Sequence, residues 1–370
     1  MPGTEPVDVV CLGESMVTFL PSRPGPLADV PSFGRSIGGA ESNVACALAG
    51  AGHRVRWVSR VGADGFGDHL LTTIAAHGVD TSRVARDPHR PTGVYFRTAD
   101  ERGTDTHEVV YYRAGSAASA MSPANTDPGP ARVLHLTGIT AALSPDCLAL
   151  SRALLTGRGA VEPGYGAAEP GRGSAGPGAT AAYGTPGTRR DRPALVSFDV
   201  NHRPGLWHGA PEGPAVLLEL ARGADVVFVG EDEAAEAWDV HGADAIRAAL
   251  PEPETVIVKQ GAAGATAYEK GADPVHVPGL AVDVVAPVGA GDAFAAGYLS
   301  GTLRGLPVPD RVRHGHLMAA AALTVPGDLA APPAGDLADR LTALDADAWG
   351  RLRLGPGWTE AGDATEVLHP

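Results

Sequence analysis

The chain has 370 residues, 44% of them apolar, and a formal net charge of −14. That length suggests about two domains, and the acidic balance argues against general nucleic-acid or anionic-membrane binding, so an anionic ligand has to be met by locally placed cations. No apolar run reaches the roughly 18 residues of a membrane span, and Met1-Pro2-Gly3-Thr4-Glu5 lacks the basic and apolar parts of a secretory leader, so a cytoplasmic protein is expected.

Residues 7–12 form an apolar run closed by Gly13, the mark of a buried first strand. Residues 14–20 continue with mixed polarity before a Pro-rich break, and 33–37 make a short strand ahead of Gly38-Gly39. Residues 43–49 join small helix formers to an apolar stripe, 54–61 read as the next strand, and 68–77 as an amphipathic helix. This alternation predicts a parallel, doubly wound sheet with right-handed crossovers. It breaks between Pro91 and Gly115, where 92–98, a polar turn at 100–106 and 108–113 read as a β-hairpin, hence a small accessory sheet. A strand at 133–136 and a helix at 144–156, N-capped by Ser144, come next. Residues 157–193 are mostly Gly, Ala and Pro and bury too little apolar surface to offset the cost of ordering, so they read as a disordered surface insert. The basic end, Arg189-Arg190-Asp191-Arg192, reads as a solvated charge run. Strands are then expected at 194–199, 225–229 and 255–259, with helices at 216–221 and 231–238. Edge strands at 266–268 and 275–277, a buried Ala-rich helix at 312–325, and a helix at 337–344 before a disordered tail complete the chain. Cys11, Cys46 and Cys147 have no metal-site spacing and read as buried thiols.

One stretch organises the rest: Ala286-Pro287-Val288-Gly289-Ala290-Gly291-Asp292-Ala293-Phe294. Pro287 ends a strand-like run, the two glycines permit close approach to the backbone, and helix formers begin at once. The first N–H groups of such a helix make a ready anion cradle. A carboxylate there, Asp292, repels phosphate unless it has a task. Two tasks fit: capping the helix, or taking a proton from a hydroxyl that attacks a phosphate. Asp199, Asn201 and Arg203 follow a strand at alternating positions and would project together from an extended chain, where parallel sheets bind ligands; a salt-bridged loop is the alternative. Tyr111 and Arg113 share one face of the hairpin, with Tyr95 on its partner strand. They either pack across strands or meet a ligand, Arg113 offering a planar fork for a carboxylate. Gly38, Gly39 and Asn43 either address hydroxyls or form a turn and helix start.

Gly38-Gly39-Ala40-Glu41-Ser42-Asn43-Val44-Ala45 and Gly289-Ala290-Gly291-Asp292-Ala293-Phe294, in that order, resemble the two signatures of the ribokinase-like (PfkB) carbohydrate kinases. The resemblance runs from about residue 7 to 328 apart from the insert. It implies an α/β fold, a doubly wound and mostly parallel central sheet with helices on both faces and a small β-sheet lid. The lid would be 15–37 plus 91–115, the kinase domain 1–332, and 333–370 a C-terminal helix and tail. It also implies ATP and Mg²⁺ as cofactors. Asp292 would be the catalytic base, with the N–H groups of Gly289, Ala290 and Gly291 on the transferring phosphoryl group. Gly38, Gly39 and Asn43 would meet the sugar, and Lys259, Gly261 and Gly264 would lie beside the nucleotide. Glu233 would hold Mg²⁺ through water, or be a helix-surface charge.

Asp199-x-Asn201-x-Arg203-x-x-Leu206-Trp207 and Tyr111-Tyr112-Arg113-x-Gly115-Ser116-Ala117 resemble the 2-keto-3-deoxygluconate kinase branch. That implies a sugar acid held by Arg113 and Arg203, with Tyr95, Tyr111 and Asn201 in contact, phosphorylated at its terminal hydroxyl. A neutral-sugar kinase of the fructokinase or ribokinase type is the alternative, and a catalytically silent sugar- or nucleotide-binding protein the third reading. Two departures stand out. Gly230 replaces the usual Asn before Glu233, and Ala286 replaces an Asp tied to monovalent-cation activation. A homo-oligomer that pairs lid edges is the family-based expectation.

Overall fold

A computed structural model describes residues 7–98, 108–156, 195–207, 210 and 212–361. The insert at 157–193, the hairpin turn at 100–106 and the last residues of the tail lie outside these. The chain opens with β1 (Val7–Leu12), β2 (Met16–Pro21), β3 (Phe33–Gly38), α1 (Ala40–Gly50), β4 (Val55–Gly62), α2 (Gly65–Ala76) and β5 (Val84–Asp87). A hairpin of β6 (Val94–Arg97) and β7 (Val109–Tyr112) precedes β8 (Ala131–Thr137), α3 (Gly138–Ala142) and α4 (Pro145–Thr156). Then come β9 (Leu195–Asp199), α5 (Gly213–Arg222), β10 (Val226–Gly230), α6 (Glu231–Trp238) and α7 (Ala243–Ala249). β11 (Thr255–Lys259), β12 (Gly264–Glu269), β13 (Val275–Pro278) and β14 (Ala281–Val282) follow. α8 (Ala290–Leu303), α9 (Val308–Leu323), α10 (Gly335–Thr342), α11 (Ala346–Arg351) and β15 (Arg353–Leu354) complete the order.

Strands that are apolar at every position need cover on both faces. β10, Val-Val-Phe-Val-Gly, is buried throughout, and the sheet it belongs to is sandwiched by helices. Side-chain alternation divides the core in two. Val9 and Cys11 of β1 join residues of α1, α8 and α9, while Val10 and Leu12 join residues of α4, α5 and α7. The nine-stranded order is β13-β12-β11-β10-β9-β8-β1-β4-β5. β11 to β5 pair in parallel, and β12 and β13 close one edge antiparallel, as expected of the far edge. The chain leaves β1 toward β4 and β5, then returns to β8 on the other flank. Strand order therefore reverses between β1 and β8, and a crevice opens beyond their carboxyl ends.

A second sheet, β3-β2-β6-β7, stands apart from the first. The expected hairpin is in it, with Tyr95 opposite Tyr111. Its two faces differ because side chains alternate. On one, Phe19 stacks on Phe96 at 4.7 Å between ring centroids, with Tyr112 at 6.0 Å from Phe96. On the other, Tyr95, Arg97, Tyr111 and Arg113 border a cleft. Ser144 caps α4 as expected, its Oγ accepting from the Cys147 N–H at 3.1 Å. The three cysteines are free and buried. Among the described residues no helix is long and apolar enough to cross a membrane.

The structure corrects the expectation for the tail. Beyond α10 the chain stays ordered in α11 and β15, and β15 pairs with β14. Trp349, Leu352, Leu354 and Trp358 are all buried in the core cluster shared with α8 and α9. Trp349 Nε1 donates to the Pro278 carbonyl at 3.1 Å, and Arg313 lies 4.8 Å from its ring centroid. The polar spacing hid this, because two tryptophans bury as much area as a longer aliphatic stripe. Residues in 335–361 thus pack into the same core as α8 and α9. Trp349→Ala is expected to lower the free energy of unfolding by about 3–5 kcal/mol in urea denaturation. A loss under about 1 kcal/mol would mean that docking of this segment adds little.

Candidate active site

The cradle is built first by backbone constraint. Gly289 has φ +78°, and a Cβ there would collide with the Asp328 carbonyl oxygen, so only glycine fits the turn. The first hydrogen bond of α8 runs from the Ala293 N–H to the Gly289 carbonyl at 2.9 Å. The N–H groups of Ala290, Gly291 and Asp292 precede it, at the positive end of a 14-residue helix. No side chain caps α8, which removes one of the two tasks open to Asp292. Its Oδ2 instead accepts from Asn43 Nδ2, on α1, at 2.8 Å. Burial pushes the Asp292 carboxyl up to about 7; the Asn43 hydrogen bond, Arg203 and Lys259 oppose the rise and Asp199 adds to it.

Loops after successive strands supply the rest of the floor. Asp199 ends β9 and Lys259 ends β11, and the lysine Nζ is 3.0 Å from both Asp199 oxygens. Burial opposes the lysine's charge, but Asp199, Glu233 and Asp292 outweigh it and raise its pKa. Asn201 corrects the expected extended run. With φ +41° it turns the chain into the left-handed region, yet Asp199, Asn201 and Arg203 all still line one cleft. Arg203 is half exposed; its Nη1 donates to the His202 carbonyl at 2.9 Å and lies 3.6 Å from Glu233 Oε1. Glu233 Oε2 accepts from the Gly230 N–H at 2.7 Å, folding back over its own helix start. A Cβ at position 230 would meet the Glu233 side chain at 3.1 Å.

The second sheet roofs the cleft. Gly38 passes so close beneath it that a Cβ would collide with the Tyr95 hydroxyl and meet Asp328 Oδ2 at 2.5 Å. Tyr95 donates to Asp328 Oδ2 at 2.8 Å, and Arg97 Nη2 donates to Oδ1 at 3.2 Å. Arg113 is not a bare fork. Its Nε donates to Glu14 Oε2 at 2.7 Å, and Glu14 also accepts from Ser116 Oγ at 2.5 Å. Tyr111 is half exposed, with Arg113 at 5.7 Å from its ring centroid.

The result is a cleft of about 820 Å³ between the two sheets, at the carboxyl edge of the large one. It gathers Gly38, Gly39, Asn43, Tyr95, Tyr111, Arg113, Asn201, Arg203, Glu233, Lys259, Gly289, Gly291 and Asp292 from the sequence reading. Gly261, Gly264 and Ala290 do not line it; the two glycines shape the turn between β11 and β12, and Ala290 opens α8. Three charged lining residues went unread: Glu14, Arg97 and Asp328. The first carried a signal, since it follows the carboxyl end of β1 at the switch point. Asp328 lies in a loop past α9 and carried none.

A family model described as pfkB family carbohydrate kinase matches residues 7–164 and 194–334. The chain belongs to the PfkB family of carbohydrate kinases. A 2-dehydro-3-deoxygluconokinase of Bacillus subtilis (strain 168) is 33% identical over 87% of this chain and 91% of that protein. One from Thermoproteus tenax is 32% identical over 81% of this chain and 85% of that protein. A solved PfkB protein from Polaromonas sp. JS666 superposes with TM-score 0.68 at 33% identity, over 85% of this chain and 95% of that one. The architecture is thus ribokinase-like, with a large, mostly parallel sheet, helices and a separate small sheet.

The open N–H groups of the cradle suit a phosphate anion. Among the described residues no group of three or more His, Cys, Asp and Glu could hold a metal ion. At Ala286, buried and with its N–H bonded to the Leu323 carbonyl at 3.3 Å, this kinase has no side-chain oxygen for a monovalent cation.

A carboxyl whose pKa rises from 3.8 to about 7 on folding favours the fold while protonated and opposes it once ionised. Its contribution is complete below the unfolded value and is lost as pH rises through the folded one. Asp292→Asn is therefore expected to match wild type in melting temperature near pH 4. It should gain on wild type as pH rises and hold a constant advantage above about pH 7. Equal melting at pH 4 and pH 8 would show that the carboxyl is not raised.

Proposed function

We propose that this PfkB kinase transfers the γ-phosphoryl group of ATP to the terminal hydroxyl of 2-keto-3-deoxygluconate, also called 2-dehydro-3-deoxygluconate. The observation that carries this is the pairing of a raised carboxyl, Asp292, with an open helix N-terminus in a cleft that also holds three arginines, Arg97, Arg113 and Arg203. The names of the Bacillus subtilis and Thermoproteus tenax relatives support the choice of acid.

Asp292 takes the proton of the attacking hydroxyl, and its pKa near 7 suits a base at neutral pH. The N–H groups of Gly289, Ala290 and Gly291 hold the oxygens of the migrating group, so positioning and electrostatics supply most of the acceleration. Mg²⁺, when bound with ATP, neutralises phosphate charge, with Glu233 as its water-mediated partner. The Gln260–Gly264 turn borders the nucleotide. Gly38, Gly39, Asn43, Asn201, Tyr95 and Tyr111 surround the sugar, and the lid sheet excludes water. Three unpaired buried thiols suit a reducing cytoplasm. The aromatic outer face of the lid sheet, with Tyr112 64% exposed, suits pairing with a second copy.

One observation favours a neutral sugar instead: the charge of Arg113 is already matched by Glu14. Recognition of an acid then falls to Arg203. Asp292→Asn should lower kcat by about 10²–10⁴-fold in an ADP-release assay. Arg203→Ala should cost about 10–100-fold in kcat/KM for the sugar acid and little for fructose. Equal losses on both would favour the neutral-sugar reading.

A further inference from the structure

The cleft floor poses a charge problem. Asp199 and Asp292 both face the path of a group that is itself anionic, and Lys259 is the lysine between them. Its Nζ is 3.0 Å from each oxygen of Asp199, and a Cβ on Gly291 would come within 3.5 Å of it. The ammonium therefore stands beside the second residue of α8, at the mouth of the cradle. Of its three N–H donors, Asp199 takes two. The Asp199 side chain is 2% exposed and that of Lys259 19%, so the pair is closed on the acid side and open to the cleft on the lysine side.

We propose that Lys259 directs its remaining N–H at the phosphoryl group in flight, and that Asp199 is the positioning residue that keeps it there. This rests on the kinase reading above. In the step, the sugar oxygen bonds to the γ-phosphorus while the bond from phosphorus to the bridging oxygen breaks. The electron pair of that bond leaves with ADP, and the hydroxyl proton goes to Asp292. Lys259 keeps its own protons throughout. It screens the phosphoryl oxygens from the two carboxylates and follows the charge as it moves. The competing account is a strap: β10 lies between β9 and β11, and the pair spans its end.

The two accounts separate in a charge-balanced double variant. Full-length wild type, Lys259→Gln, Asp199→Asn and Asp199→Asn/Lys259→Gln are compared by ADP release with the sugar acid. Melting temperature and ADP affinity, with and without aluminium fluoride as a mimic of the phosphoryl group in flight, are measured alongside. Lys259→Gln should lower kcat by about 10²–10³-fold. It should also bind ADP as wild type does but lose the tightening that aluminium fluoride confers. Asp199→Asn should lower kcat by about tenfold with the KM for ATP held, the split expected of a positioning role. The double variant leaves no charge unpaired, so it should melt near wild type yet stay as slow as Lys259→Gln. A double variant within about fivefold of wild-type kcat, or an undiminished aluminium fluoride effect in Lys259→Gln, would reduce the lysine to a strap. If wild type moves no phosphate from ATP to any sugar tested, the kinase reading itself fails. An active wild type with an unaffected Lys259→Gln sinks this inference alone.

Discussion

A carboxylate placed at the positive end of a helix, and tied across 249 residues of sequence to Asn43, is the contact on which the cleft depends. Helix dipole and nearby cations favour its charge, while burial opposes it. Burial wins by enough to bring Asp292 to about 7, the range in which a carboxyl both accepts a proton and exists as the anion at neutral pH. Had the side chain capped its own helix, its oxygens would have been spent on backbone N–H groups. Asn43 holds it with a single donor and leaves the other oxygen to the cleft.

The scaffold reaches this point from many directions. Parallel strands bring Glu14, Asp199, Glu233 and Lys259 to one edge because each lies at or just past the carboxyl end of a strand. The lid strand β6 and the cradle then share one support. Asp328 takes the hydroxyl of Tyr95 and the guanidinium of Arg97 on its side chain, while its carbonyl packs against Gly289. The small sheet and the turn that opens α8 thus rest on the same residue. Close packing leaves no slack there, since both Gly38 and Gly289 would collide with these atoms if they carried a Cβ.

What the sequence showed and what it hid follow from the range of the interactions. Period-two and period-3.6 patterns are local, so the alternation of strands and helices, the hairpin Tyr95–Tyr111 register face and the glycine cradle were readable. The cradle residue Asp292 was legible by type, but the capping task could be set aside only by where its side chain reached. Arg113 was legible as a cation, but its partner was not, because Glu14 lies 99 residues away in sequence. Asn201 looked extended from spacing alone, and its left-handed backbone has no signature in Asp-Val-Asn-His-Arg. The short β5 and α7 were missed for want of a pattern long enough to show a period. The tail was misread because Trp349 and Trp358 are far apart in a polar stretch, and only the finished core offers them a site.

Charge pairing sets what the cleft can accept. Arg113 faces Glu14, Arg97 faces Asp328 and Lys259 faces Asp199, all with side chains at most 19% exposed. Separating such a pair strands a charge in a poorly solvated place, so these three cations serve best where they stand. Arg203 is different: its side chain is 52% exposed and its nearest carboxylate, on Glu233, is 3.6 Å away. A loose, solvated pair of that kind is worth little and can be exchanged at small cost. In a chain of net charge −14, Arg203 is the guanidinium that can turn toward an incoming carboxylate most cheaply, which is why we propose that it separates an acid from a neutral sugar. By the same reasoning the tightly held pairs fix the shape of the site before any ligand arrives, which is where preorganised electrostatics has its effect.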